Sequence, residues 1–185
     1  INKLNKCGHR VYLITGKKES HFTYPRVFER YDFPYSSDSI KEIFESVRPD
    51  VVIFLGAYDS NYSWTHTRKE SVQYAADLTN MLSAYSVCKK GRFVYLSSQE
   101  IYGKSYIDDV AEEEAGSAKN FRAMAIAQGE DICKTYKKTQ DMDITVMRLD
   151  HFYAMPKKGE KQYNPCYQMV VEALKNNRIS ASRRN

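Results

Sequence analysis

Short apolar runs alternate along this chain with stretches of helical periodicity, and that alternation restricts its fold more than any other feature. Residues 51–57 (VVIFLGA) and 93–96 (FVYL) have the length, flanks and β-branched content of strands buried on both faces. Residues 11–15 (VYLIT) and 144–149 (ITVMRL) are two more runs of this kind. Between them the spacing changes. In SSDSIKEIFESVRPD (36–50), Ile40, Ile43, Phe44 and Val47 recur at i, i+3, i+4 and i+7 behind a Ser/Asp cap, and Arg48-Pro49 closes the helix. A longer helix is predicted over 67–87, with Val72, Ala75, Leu78, Leu82 and Tyr85 along one side and Lys-Lys-Gly at 89–91 ending it. Over 120–137, Ala123, Ile126, Ala127 and Cys133 share a face that Ile132 and Tyr136 widen. Strands alternating with helices imply βαβ units, and therefore an α/β, doubly wound parallel sheet with helices on both faces.

A length of 185 residues suits one domain and part of a second. The pattern loosens after Leu149 through MPKKGEKQYNP (155–165), then one more amphipathic helix follows over 166–176. A first domain over 1–150 and the start of a second lobe over 151–185 are expected. No apolar run approaches the roughly 18 residues of a membrane span, and the first residues lack a signal-peptide core, so a cytoplasmic protein with no membrane partner is expected. Cys7, Cys88, Cys133 and Cys166 are far apart, and His9, His21, His66 and His151 have no ligand spacing; reduced thiols are expected and no metal site. The net charge of +5 is spread along the chain rather than concentrated, which disfavours nucleic acid as a partner.

Ligands of open parallel sheets bind beyond the carboxyl ends of the strands. Those ends carry Thr15-Gly16-Lys17-Lys18, Gly56-Ala57, Ser97-Ser98 and Asp150-His151. In this setting RPDVVIFLGA (48–57), FVYLSSQEIYG (93–103), GEDICKTY (129–136) and RLDHFYA (148–154) resemble, in order and spacing, four motifs of the extended short-chain dehydrogenase/reductase family. That family includes the nucleotide-sugar epimerases and dehydratases. The resemblance implies a Rossmann-like sheet, an NAD or NADP cofactor, a nucleotide-sugar-like small molecule as partner, and a homodimer. It assigns 1–150 to the nucleotide-binding domain and 151–185 to the beginning of the substrate lobe.

The resemblance also supplies roles. Asp32, in RYDFP, corresponds to the family's Asp near the adenine, and Gly56 and Ala57 to the small residues that let the cofactor lie against the sheet. The acid that usually follows the second strand is replaced by Thr15, with Lys17 and Lys18 beyond it. Those cations suit a 2′-phosphate and tilt the expected preference toward NADP, although two solvated loop lysines are the alternative. The family's Gly-rich phosphate loop has no counterpart, since the eight glycines are scattered. The first strand and its loop are therefore expected to precede Ile1, and nucleotide affinity without them to be weak or absent.

Family catalysis needs a Ser or Thr hydroxyl, a Tyr phenol that exchanges its proton, and a Lys four residues later that lowers the phenol's pKa. Ser98, four residues before Tyr102, corresponds to the serine. Counting back from Gly129-Glu130, the Tyr and Lys positions fall on Arg122 and Ile126. A guanidinium stays protonated near neutrality and Ile carries no charge, so neither replaces its counterpart. Tyr74 and Asp77 stand where Asn and Gly are usual. His151 replaces an Asn that touches substrate, and is either a substrate contact or a packed loop residue. Glu100 and Glu130 read as surface or helix-end charges. Two readings remain: an NAD(P)-dependent nucleotide-sugar epimerase or dehydratase with its Tyr/Lys pair replaced, or a non-catalytic relative that binds a nucleotide or partner as sensor or scaffold.

Overall fold

A computed structural model describes residues 1–15, 29–32, 37–58, 62, 64–88, 91–103, 118–150 and 165–176. The elements run α1 (Asn2–Lys6), β1 (Tyr12–Thr15), β2 (Glu29–Asp32), α2 (Ser37–Val47), β3 (Val51–Phe54), α3 (Thr67–Cys88), β4 (Arg92–Ser98), α4 (Phe121–Gln140), β5 (Ile144–Leu149) and α5 (Pro165–Asn176), with 3₁₀ turns at Gly56–Tyr58 and Gln99–Tyr102. All strand pairs are parallel. β1 pairs with β2 from Tyr12 opposite Glu29 to Thr15 opposite Asp32. A second sheet has the order β3-β4-β5, with Ser98 opposite Leu149 at its carboxyl end. The chain forms two compact units, Ile1–Leu149 and Asp150–Asn185; the second contains α5.

The helices form where apolar residues recur at helical spacing. α2 buries Ile40 and Phe44, α3 buries Tyr74, Leu78, Leu82 and Tyr85, and α4 buries Ala123, Ile126 and Cys133. Asn120 starts α4 by accepting the Ala123 N–H at 2.7 Å, and Asp141 ends it in a left-handed conformation, φ 52°. The strands depart from expectation in three places. β3 stops at Phe54 instead of residue 57, because Gly56 has φ +56° and turns the chain into a 3₁₀ segment. β4 runs on through Ser98. β2, ERYD, has no apolar alternation and is recognisable only through its pairing with β1.

The core lies on one side of the three-stranded sheet. Val52, Phe54, Phe93 and Tyr95 are buried there with residues of α3 and α4. Phe54 stacks with Tyr95 at 6.1 Å and meets Tyr74 edge-on at 5.9 Å, while Tyr85 lies between Phe93 and Phe44, 5.8 Å from each. β3 is not buried on both faces as its run of apolar residues suggests. It alternates: Val52 and Phe54 are buried, whereas Val51, Ile53 and Leu55, on the opposite face, are about half exposed.

Gly129 makes the contact between α4 and β4 this close. A Cβ at that position would overlap the Tyr95 hydroxyl, which occupies the room the glycine leaves. Gly129→Ala should therefore cost about 1–3 kcal/mol through overpacking, lowering the melting temperature by several degrees, roughly 2–4 °C per kcal/mol in a chain of this size. Thermal denaturation followed by circular dichroism checks this; an unchanged midpoint contradicts the close approach.

Candidate functional site

Two consecutive serines at the end of β4 take different roles. Alternation along the strand turns Ser97 toward α4, where its hydroxyl donates to Glu130 Oε1 at 2.5 Å. Glu130 is 3% exposed, so it is not the surface charge its sequence context suggests. Arg148, on β5, offers it a two-pronged pair, Nε to Oε1 at 2.9 Å and Nη2 to Oε2 at 2.8 Å. The third arm of the guanidinium donates to the Tyr102 hydroxyl at 2.6 Å, and its centre lies 4.8 Å from the Tyr102 ring. Burial raises the Glu130 pKa, but the hydrogen bonds from Arg148 and Ser97 and the Arg148 charge outweigh it and leave the carboxyl below its ordinary value. The Glu130 contacts raise that of Arg148.

Ser98 is 4% exposed, and its hydroxyl accepts the Glu100 N–H at 3.2 Å, capping the 3₁₀ turn that follows. Tyr58 reaches the same strand end, donating to the Ser97 carbonyl at 3.1 Å. Arg122, in the first turn of α4, pairs with Glu100 and lies over the Tyr58 ring at 5.6 Å. Ile126 is fully buried in the core, and its carbonyl accepts the Tyr95 hydroxyl at 2.9 Å. Tyr95 and Tyr74 share a hydrogen bond of 2.7 Å, and burial drives the Tyr95 pKa far upward. Burial likewise pushes the Cys133 thiol up to about 12. Asp77 is also buried and accepts from Tyr62 and, at 2.7 Å, from Gln73.

The strand ends thus bring Ser98, Arg122 and Ile126 onto adjoining elements. Asp32 ends β2 directly opposite Thr15. Gly56 follows β3, and the room left by its missing Cβ is taken by the Tyr74 hydroxyl, 2.6 Å from where that atom would stand. Ala57 lies in the 3₁₀ turn after β3. Lys17 and His151 lie outside the described residues. The Glu130–Arg148 pair is the part that sequence reasoning missed. A signal was present: Glu130 continues the buried stripe of Ala123 and Ile126 by four residues, a place where a carboxylate must find a partner.

A sequence model described as the NAD dependent epimerase/dehydratase family matches residues 1–181. The chain belongs to this family. Among its relatives is a dTDP-D-glucose 4,6-dehydratase of Dictyostelium discoideum, 24% identical over 183 residues, covering 88% of this chain and 38% of the relative. Similar folds include UDP-glucose 4-epimerase from Brucella ovis in complex with NAD, with a TM-score of 0.73 and 15% identity over 94% of this chain and 56% of that one. UDP-glucuronic acid 4-epimerase from Bacillus cereus in complex with NAD gives 0.68 and 14%, over 94% and 58%. At such identities the likeness is one of fold, the Rossmann-like α/β fold of this family. The chain spans 38% of the length of the curated relative and little more than half of the solved ones.

The residues fit a nicotinamide dinucleotide in part. Asp32 and Thr15 at neighbouring strand ends, and Ser98 at the end of β4, are of the kind that hydrogen-bond sugar hydroxyls. No described residues form a Gly-rich turn for the pyrophosphate, and the space beside Gly56 is filled by Tyr74.

The depressed Glu130 pKa fixes the sign of an acid effect. Below its ordinary value near 4.5 the unfolded chain binds a proton that the folded one refuses, so this contribution is present above that pH and is lost as pH falls through the folded pKa. Arg148→Met, which leaves the buried carboxylate without its cation, should cost about 3 kcal/mol or more at neutral pH. It should also reverse the sign, making the variant's relative deficit shrink on acidification. Urea denaturation of both proteins from pH 7 to pH 4 measures this, and a deficit that does not change with pH would refute the pairing.

Proposed function

We propose that this chain is a nucleotide-sugar epimerase/dehydratase-type domain that binds a nicotinamide dinucleotide and a nucleotide-sugar-like ligand at its strand ends without turning them over by the Tyr/Lys route. The observation that carries this reading is the environment of residues 122 and 126. Arg122 is held by Glu100 against Tyr58, and Ile126 is sealed in the core. A phenol made reactive by a neighbouring ammonium is therefore replaced by a fixed cation and an apolar packing residue. The family pattern assigns Ser98 to the triad, Asp32 and Lys17 to the adenosine end, Gly56 and Ala57 to the cofactor and His151 to the substrate; of these, Gly56 has its open side taken by Tyr74. When bound, the dinucleotide supplies a hydride acceptor; the chain's own residues bind and orient.

The second reading, an active NAD(P)-dependent epimerase or dehydratase, draws its support from family membership. NADP is the favoured cofactor on the strength of Lys17 and Lys18, and a homodimer of soluble, cytoplasmic character completes the proposal. NADH and NADPH titrations followed by fluorescence, with hydride exchange against UDP-glucose, separate the readings. Weak binding without exchange is expected, because no described residues form a pyrophosphate loop; exchange overturns the non-catalytic reading, and absence of binding overturns both.

The same logic predicts that Ser98→Ala keeps the fold, losing about 1 kcal/mol with the cap. Arg122→Tyr combined with Ile126→Lys should yield no activity, because it places an ammonium in the apolar core. Thermal melts and the exchange assay check both, and turnover by the double variant contradicts the assignment of residue 126 to the core.

A further inference from the structure

Arg148 holds more than Glu130. Two arms of its guanidinium are committed to that carboxylate, and the third crosses to the Tyr102 hydroxyl at 2.6 Å. Tyr102 closes the 3₁₀ turn Gln99–Tyr102, which is tied at its front by the Ser98 hydroxyl, accepting the Glu100 N–H at 3.2 Å. At its back the Gly103 N–H donates to the Glu100 carbonyl at 3.2 Å. Hydrogen bonds within a 3₁₀ turn are poorly aligned, so an anchor from outside counts for much in fixing it. The same turn carries Glu100, whose carboxylate pairs with Arg122 above the Tyr58 ring. Tyr58 donates to the Ser97 carbonyl at 3.1 Å, and the Ser97 hydroxyl donates to Glu130 at 2.5 Å. The contacts close on themselves around the end of β4, and the Arg148–Tyr102 bond joins the core pair to the turn that Ser98 caps.

We infer that Arg148 is a positioning residue for the ligand site proposed above: through Tyr102 it sets where the Ser98 hydroxyl and the Glu100–Arg122 pair stand when a nucleotide sugar binds. This rests on the proposed nucleotide-sugar reading and extends it to residues that act on the ligand through others. A guanidinium suits the task. Its donors form a rigid planar fork, so two of them fixed on Glu130 fix the direction of the third. Tyr102 is 9% exposed and its ring lies 4.8 Å from the same guanidinium, so ring and hydroxyl are held together. Groups ordered before the ligand arrives bind it more tightly, because less freedom is lost on association.

Tyr102→Phe removes the hydroxyl and leaves the ring and the Glu130–Arg148 pair in place. The protein and its variants are titrated calorimetrically with UDP-glucose, beside an NADH titration followed by fluorescence. Tyr102→Phe is expected to weaken UDP-glucose binding about two- to tenfold, the scale of one net hydrogen bond, while the melting midpoint moves by only a few degrees. A merely structural role would not produce the next result. In a Ser98→Ala background the same substitution should have little further effect on affinity, because residues that act as one unit are not additive. Arg148→Lys, which keeps a cation beside Glu130 but not the fork, should likewise erase the Tyr102→Phe effect; if Tyr102→Phe does not fold, Arg148→Lys against Ser98→Ala makes the same cycle. Unchanged affinity in Tyr102→Phe, or losses that add fully in either double variant, would overturn the inference and leave the function reading standing. NADH binding without UDP-glucose binding by the parent protein would overturn the inference and confine that reading to the cofactor. Failure of both ligands would bring down the function reading and this inference with it.

Discussion

The buried carboxylate of Glu130 is the constraint around which the described core is arranged. A charge at 3% exposure survives only if its neighbours satisfy it, and three elements must be in place for that. β4 brings the Ser97 hydroxyl, β5 the Arg148 guanidinium, and α4 the carboxylate itself. Arg148 then fixes Tyr102, in the 3₁₀ turn beyond β4, by a hydrogen bond and a ring contact. One ion pair thus holds the carboxyl end of the sheet, the middle of the helix and the loop beyond the strand in a single geometry.

The interior is more polar than its apolar stripes suggest, and among the described residues its buried side-chain polar atoms find partners, the Trp64 indole N–H excepted. Tyr74, Tyr95 and the Ile126 carbonyl form a chain of hydrogen bonds between α3, β4 and α4. The two phenols fit because glycines stand opposite them: Tyr95 over Gly129, and Tyr74 beside Gly56. Glycine is needed at 56 for its positive φ and at both positions for close approach. Asp77 is similarly closed off by Tyr62 and Gln73. Tyr74 and Asp77 are in this way parts of a packed and hydrogen-bonded core.

At the strand ends, chemistry and packing compete for the same residues. Ser98 ends β4, and its hydroxyl caps the turn that follows. Arg122, in the first turn of α4, is drawn into a pair with Glu100 above Tyr58.

The sequence by itself determined the order and type of the main elements, because helical and strand periodicities act over a few neighbouring residues: α2 and β5 have the boundaries their patterns predict, and α3 and α4 differ by a few residues at their ends. It also determined the family, through four short motifs and their spacing. It could not reveal β2, whose residues ERYD become a strand only against β1, nor the exposed face of β3. Nor could it distinguish the two serines of FVYLSS, or show that Glu130 is buried and paired with Arg148. Those facts depend on which side chains meet across 18 to 53 positions of chain, such as Arg148 with Glu130 and Ser83 with Tyr136. Burial and hydrogen bonding between distant residues are properties of the packed state, and only the tertiary structure decides them.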